Sequence, residues 1–163
     1  DIHLVESDVF FENIALPRRH KFDIIFIDGL HEEKQTDRDI ANSLKCLTDN
    51  GIIVCHDILP EIFEQVYRAP NTLGGLGNSY LSFAKLRTKN KNLSMCSLDF
   101  ANEPSTQEGI GIGIIKKGHQ VLYPLSMDDG ATPEEKYKFY ADNKQNLMNI
   151  VKLSRFKEWL DAN

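Results

Sequence analysis

Long apolar runs are missing from this sequence, and so is any excess of positive charge. No stretch approaches the roughly 18 apolar residues of a membrane helix, so no membrane span is expected. Lys and Arg number 19 against 24 Asp and Glu, a net charge of −5. A nucleic-acid partner normally leaves a basic footprint, so none is expected. Cysteine is sparse: Cys46, Cys55 and Cys96 are odd in number and far apart. That fits neither a disulfide framework nor a zinc ribbon, and points to a reducing, cytoplasmic setting. An initiator Met is also missing. The chain enters Ile2-His3-Leu4-Val5 at once, in what reads as a strand, and so reads as a piece of something longer.

What is there suffices for one domain with a real core: 163 residues, 41% of them hydrophobic. Phe22 to Gly29 reads as a strand buried on both faces, being a continuous β-branched and aromatic run ended by Asp-Gly. Gly51 to Asp57 is a second such run. Between them, Ile40, Leu44 and Leu47 recur at helical spacing over Glu32–Thr48, with Asp49-Asn50-Gly51 as a left-handed stop. Strand, helix, strand at this spacing predicts a crossover unit of a parallel sheet.

Upstream, Ile2–Val5 is expected as a short strand ending in Glu6-Ser7-Asp8, and Phe10–Leu16 as a helical turn. Downstream, 58–77 is long and irregular, Asn78 is a helix N-cap, and the helix runs through Arg87. Leu93–Phe100 and Ile110–Lys117 are expected as a late antiparallel pair. Residues 133–163, opened by Pro133, are expected as a helical C-terminal segment of the same domain. Glu108-Gly109-Ile110-Gly111-Ile112-Gly113 superficially suggests a cofactor-cradling loop. Such a loop follows a strand and opens a helix, whereas here the glycines alternate with Ile inside a strand, where they permit close backbone approach.

Ligands of open α/β sheets bind at the carboxyl ends of the strands. Three successive expected strand ends carry Ser7-Asp8, Asp28-Gly29-Leu30-His31 and His56-Asp57. One Asp after a strand is commonly a turn former or helix cap; three polar, ionisable ends in a row suggest a site. Each group also has a plainer use. Asp8 can cap the helix from Phe10 onward, His31 can face solvent at a helix start, and His56 can pack at its strand end.

The string FDIIFIDGLHEEKQTDRDIANSLKCLTDNGIIVCHD resembles the central part of class I S-adenosylmethionine-dependent methyltransferases, with VESDV similar to the strand before it. NSYLSFAKLR, GIGIGIIKKG and the closing KYKFYADNKQNLMNIVKLSRFKEWL resemble that family's later elements. The resemblance implies a Rossmann-like α/β fold, mostly parallel, with an antiparallel pair near the C-terminus and flanking helices, incomplete because the first two strands are absent. The family's Gly-rich cofactor turn and the acidic strand end after it would precede Asp1. The edge of the 22–29 strand then calls for one of three partners: upstream sequence, a second copy in a homodimer, or the first strand moving in beside Ile24–Ile27.

For roles, the resemblance implies S-adenosylmethionine as cofactor, contacted by Ser7, Asp8, Asp28 and Gly29. It implies methyl transfer to a small-molecule or glycan hydroxyl, with Asp28, His31, His56 and Asp57 as catalytic groups. Asp28 and Asp57 are the expected ligands of a divalent cation such as Mg²⁺. Relatives often carry a further acidic residue where this chain has Leu30 and His56, and a His ligand is softer than Mg²⁺ prefers; that favours His31 as base. Tyr67, Arg68 and Tyr80 are the expected acceptor-binding groups, while Lys85, Arg87 and Lys89 read as a solvated helix face. Two other functions compete: a non-catalytic scaffold that kept the fold, and a metal-dependent hydrolase built on Asp28, His31, His56 and Asp57.

Overall fold

Two apolar strands and the helix between them organise the chain. The computed structural model describes residues 2–66, 75–100 and 111–162. Strand β1 (Phe22–Ile27) and strand β2 (Leu47–Cys55) pair in parallel across helix α2 (Glu33–Cys46). Late strands β3 (Leu93–Asp99) and β4 (Gly111–Lys117) are antiparallel to one another, and β4 lies antiparallel to β2. Strand β5 (Ile150–Val151) adds in parallel to β3, giving a mixed sheet of order β1-β2-β4-β3-β5. The α/β class and the late antiparallel pair are as expected. No described helix is long and apolar enough to cross a membrane.

The main core fills one face of the sheet. Ile53, Cys55, Met95 and Ile115 meet Ile40 of α2, Tyr80 and Phe83 of helix α4 (Ser79–Lys89), which follows the short helix α3 (Phe63–Val66), and Tyr140 and Leu147 of helix α5 (Pro133–Leu147). Pro133 opens α5 as expected, strengthened by a capping box in which Thr132 Oγ1 accepts from Glu135 N at 3.2 Å. On the opposite face, Cys96, Leu98 and Ile114 pack with Phe156 and Trp159 of helix α6 (Phe156–Ala162). The described glycines of the decoy segment, Gly111 and Gly113, lie in a strand; a Cβ on Gly113 would stand 2.6 Å from the Phe83 ring. Close approach is real there, but to core side chains.

Several expectations need correction. Ile2–Val5 is no strand: it is exposed, with helix α1 (Ser7–Phe10) and a π-helical turn at Phe11–Ala15 following. It does not move in beside β1, which ends the sheet among the described residues. Nor is β1 buried on both faces. Ile25 and Ile27 join the main core, while Ile24 is 67% and Phe26 58% exposed on the other side.

Asp49-Asn50-Gly51 is not a left-handed turn either. Leu47 passes straight from α2 into extended backbone (φ −79°, ψ 137°), and β2 starts there. The cost of that sharp exit shows in the register, which moves from Phe22↔Leu47 to Ile24↔Ile52. Thr48–Gly51 bulge opposite Asp23, held by a 2.9 Å bond from Thr48 Oγ1 to Asp23 Oδ1. Two lysines occupy the carbonyl end of α2: Lys21 Nζ donates to Lys45 O at 2.7 Å and Lys117 Nζ to Leu47 O at 3.1 Å. Ile150 and Val151, expected as helical, form β5 because Asn149 (φ 48°) ends α5 and turns the chain onto β3.

Candidate functional site

Parallel pairing of Ile27 with Cys55 sets the residues after each strand side by side. His56 N donates to Ile27 O at 3.0 Å and fixes the two ends together. Asp28 and Gly29 leave β1, His31 stands two residues before α2, and His56 and Asp57 leave β2. Asp28 Oδ1 lies 3.2 Å from His31 Nε2 and 3.2 Å from His56 Nδ1. Asp57 Oδ2 lies 3.6 Å from His31 Nδ1, and Asp57 Oδ1 lies 3.2 Å from His56 Nδ1. Asp28 is exposed, and Asp57 is buried. The four expected groups are thus gathered on one rim.

Two features mark this cluster as unlike ordinary packing. Asp57 holds a left-handed φ of 55° without being glycine, a conformation that commonly marks functional strain. His56 Nδ1 and Asp57 Oδ1 are buried and make no hydrogen bond; buried polar atoms are rarely left so. Asp28, His31 and Asp57 each offer one ligand atom, all within 4.8 Å of one another.

Beside the cluster lies a cleft of about 600 Å³ between α1, β1 and α2. Ser7, Asp8, Asp28 and Gly29 all line it, although Ser7 and Asp8 reach it from a helix rather than from a strand end. Asp8 lies within α1, whose N-cap position is Glu6, so it is no helix cap. Its carboxylate instead accepts from Gln35 Nε2 at 3.3 Å and Arg38 Nε at 3.3 Å. Gln35 Nε2 also reaches Ser7 Oγ at 3.2 Å and Asp39 Oδ1 at 3.1 Å, tying α1 to α2. Gln35 and Asp39 were not foreseen as lining residues. Their four-residue spacing on one helix face was the signal available. Glu6, Asp8, Asp28 and Asp39 give the lining four carboxylates against no Lys, Arg or His.

The expected acceptor groups fare differently. Tyr67 and Arg68 lie outside the described residues. Tyr80 is 2% exposed and meets Tyr140 edge-on at 4.8 Å, so it packs the core, where burial raises its phenol pKa. Arg87 is not solvated: it is buried, with Nε donating to Leu147 O at 3.1 Å at the carbonyl end of α5. Lys85 is held by Glu33 and Asp37.

No curated protein matches the chain in sequence. Residues 2–58, which include Ser7, Asp8 and all four clustered groups, match the family model described as "Methyltransferase domain". The match supports methyl transfer in general and, with it, S-adenosylmethionine as the family's donor. Over that span the chain is similar to part of a methyltransferase domain.

Proposed function

We infer that this chain supplies the reactive rim of a methyltransferase acting on a hydroxyl of a small-molecule or glycan acceptor. The observation that carries the reading is the convergence of Asp28, His31, His56 and Asp57 at two paired strand ends, beside a cleft lined by carboxylates alone among charged groups. S-adenosylmethionine is a sulfonium cation, and an anionic cleft next to the reacting rim suits it. In the transfer, the acceptor oxygen forms a bond to the methyl carbon as the sulfur–carbon bond breaks. The acceptor's proton passes to His31, and S-adenosylhomocysteine leaves neutral at sulfur. Such an in-line displacement asks mainly for alignment and a base. Asp28 beside His31 Nε2 orients the ring. The three buried free thiols support a reducing compartment such as the cytoplasm.

A divalent ion is a second reading, favoured by the three ligand atoms of Asp28, His31 and Asp57 and by the unbonded Asp57 Oδ1. The oxygen–nitrogen–oxygen donor set fits Mn²⁺, Fe²⁺ or Zn²⁺ better than Mg²⁺; the ion would lower the pKa of an acceptor hydroxyl. The test is methyl transfer from labelled S-adenosylmethionine to a panel of hydroxyl acceptors, with and without added Mn²⁺. Asp28→Asn and His31→Gln are expected to lower turnover by about 10²-fold or more. Transfer that survives both changes would refute the assignment of the rim, and failure to depend on metal would remove the second reading.

A further inference from the structure

The segment 75–78 is not adjacent to the rim in sequence, yet it touches His31 at several points. Asn78 N donates to His31 O at 3.0 Å, and Gly75 O lies 3.4 Å from His31 Nδ1. Gly77 has φ +61°, and a Cβ there would stand 2.0 Å from His31 O. Asn78 occupies the N-cap position of α4 but makes no side-chain cap to that helix. Its Oδ1 instead accepts from Glu33 N, the first residue of α2, at 2.6 Å. One residue thereby holds both ends of the short link His31–Glu33, by backbone on one side and side chain on the other. Ser82 Oγ, one turn on, donates to Glu33 O at 2.8 Å and fastens the same helix start without reaching His31.

We propose that Asn78 is a positioning residue for His31: by bridging the His31 carbonyl and the Glu33 amide across two helix starts, it sets the imidazole between Asp28 and Gly75. The inference rests on the reading of His31 as the reacting base, but its geometry is tested without turnover. A side-chain amide that satisfies an orphan backbone N–H of another helix stabilises that helix as a cap. Capping alone would change stability and leave the ring where it is.

The experiment is NMR of the His31 ring in the 163-residue chain, assigned with His31→Gln. In the unaltered protein a contact between the His31 ring and Gly75 is expected. Asn78→Ala is expected to abolish that contact and shift the His31 ring signals. Asn78→Asp, which keeps an acceptor oxygen, is expected to restore both, and Ser82→Ala to leave them unchanged. Should Asn78→Ala fail to fold, Asn78→Ser is read in the same way, its side chain being too short to reach Glu33 N. Unchanged ring signals in Asn78→Ala, with only a lowered melting temperature, would overturn the proposal. A displaced ring in Asn78→Ala, together with methyl transfer that survives Asp28→Asn and His31→Gln, would uphold it while refuting the functional reading.

Discussion

Asp57 combines a left-handed φ of 55° with a buried, unbonded carboxylate oxygen, so backbone strain and side-chain chemistry meet in one residue. Glycine and alanine substitutions both delete the carboxylate and differ only in the Cβ. For an L-residue the left-handed region costs about 1–2 kcal/mol, a cost that glycine escapes. Asp57→Gly is therefore expected to be more stable than Asp57→Ala by about 1–2 kcal/mol, or roughly 2–8 °C in melting temperature for a domain of this size. Both variants also lose the 3.2 Å approach of the carboxylate to His56 Nδ1 and its 3.6 Å approach to His31 Nδ1, so the difference between glycine and alanine, rather than either melting temperature alone, reads the strain. Thermal melts followed by circular dichroism, run beside the methyl-transfer assay, read both effects. Greater stability of the glycine variant, with loss of transfer in both, would be the signature of strain kept for function. Equal melting temperatures for the glycine and alanine variants would refute the strained backbone, and with it this account of Asp57.

Alkaline pH supplies another test. Burial pushes the Cys55 and Cys96 thiols up from 9.0 to about 12. A raised folded pKa means that the neutral thiol's contribution is complete below pH 9 and is lost as pH climbs from 9 towards 12. Urea midpoints are expected to be flat just below pH 9 and to fall above it; constant midpoints across that window would contradict the burial of these thiols. Gly113→Ala would place a Cβ 2.6 Å from Phe83 Cε2 and 3.2 Å from Ile58 Cγ1, both on fully buried residues. Overpacking of this kind costs about 1–3 kcal/mol, to be read as a lowered urea midpoint with unchanged slope; an unshifted midpoint would show that β4 has room there.

Local pattern alone determined the α/β class, the strands around Ile24 and Ile53, the helix between them and the late antiparallel pair. Each of these is written in a contiguous run of apolar spacing, which depends on nothing distant. The pairing of Asp28 with His56 was also legible, because parallel strands joined by a crossover place their ends together. Tertiary structure decided what depends on neighbours far along the chain. Whether the 2–5 segment pairs turns on which strand lies beside β1, and whether Ile24 and Phe26 are covered turns on what packs across that face of the sheet; hydropathy encodes neither. Tyr80 and Arg87 are polar enough to suggest a surface, yet the arrival of α5 buries both, giving one a ring contact and the other a helix-end carbonyl. Asn78 carries a helix-cap signal in its sequence; only the approach of α4 to α2 shows that the helix it caps is the other one.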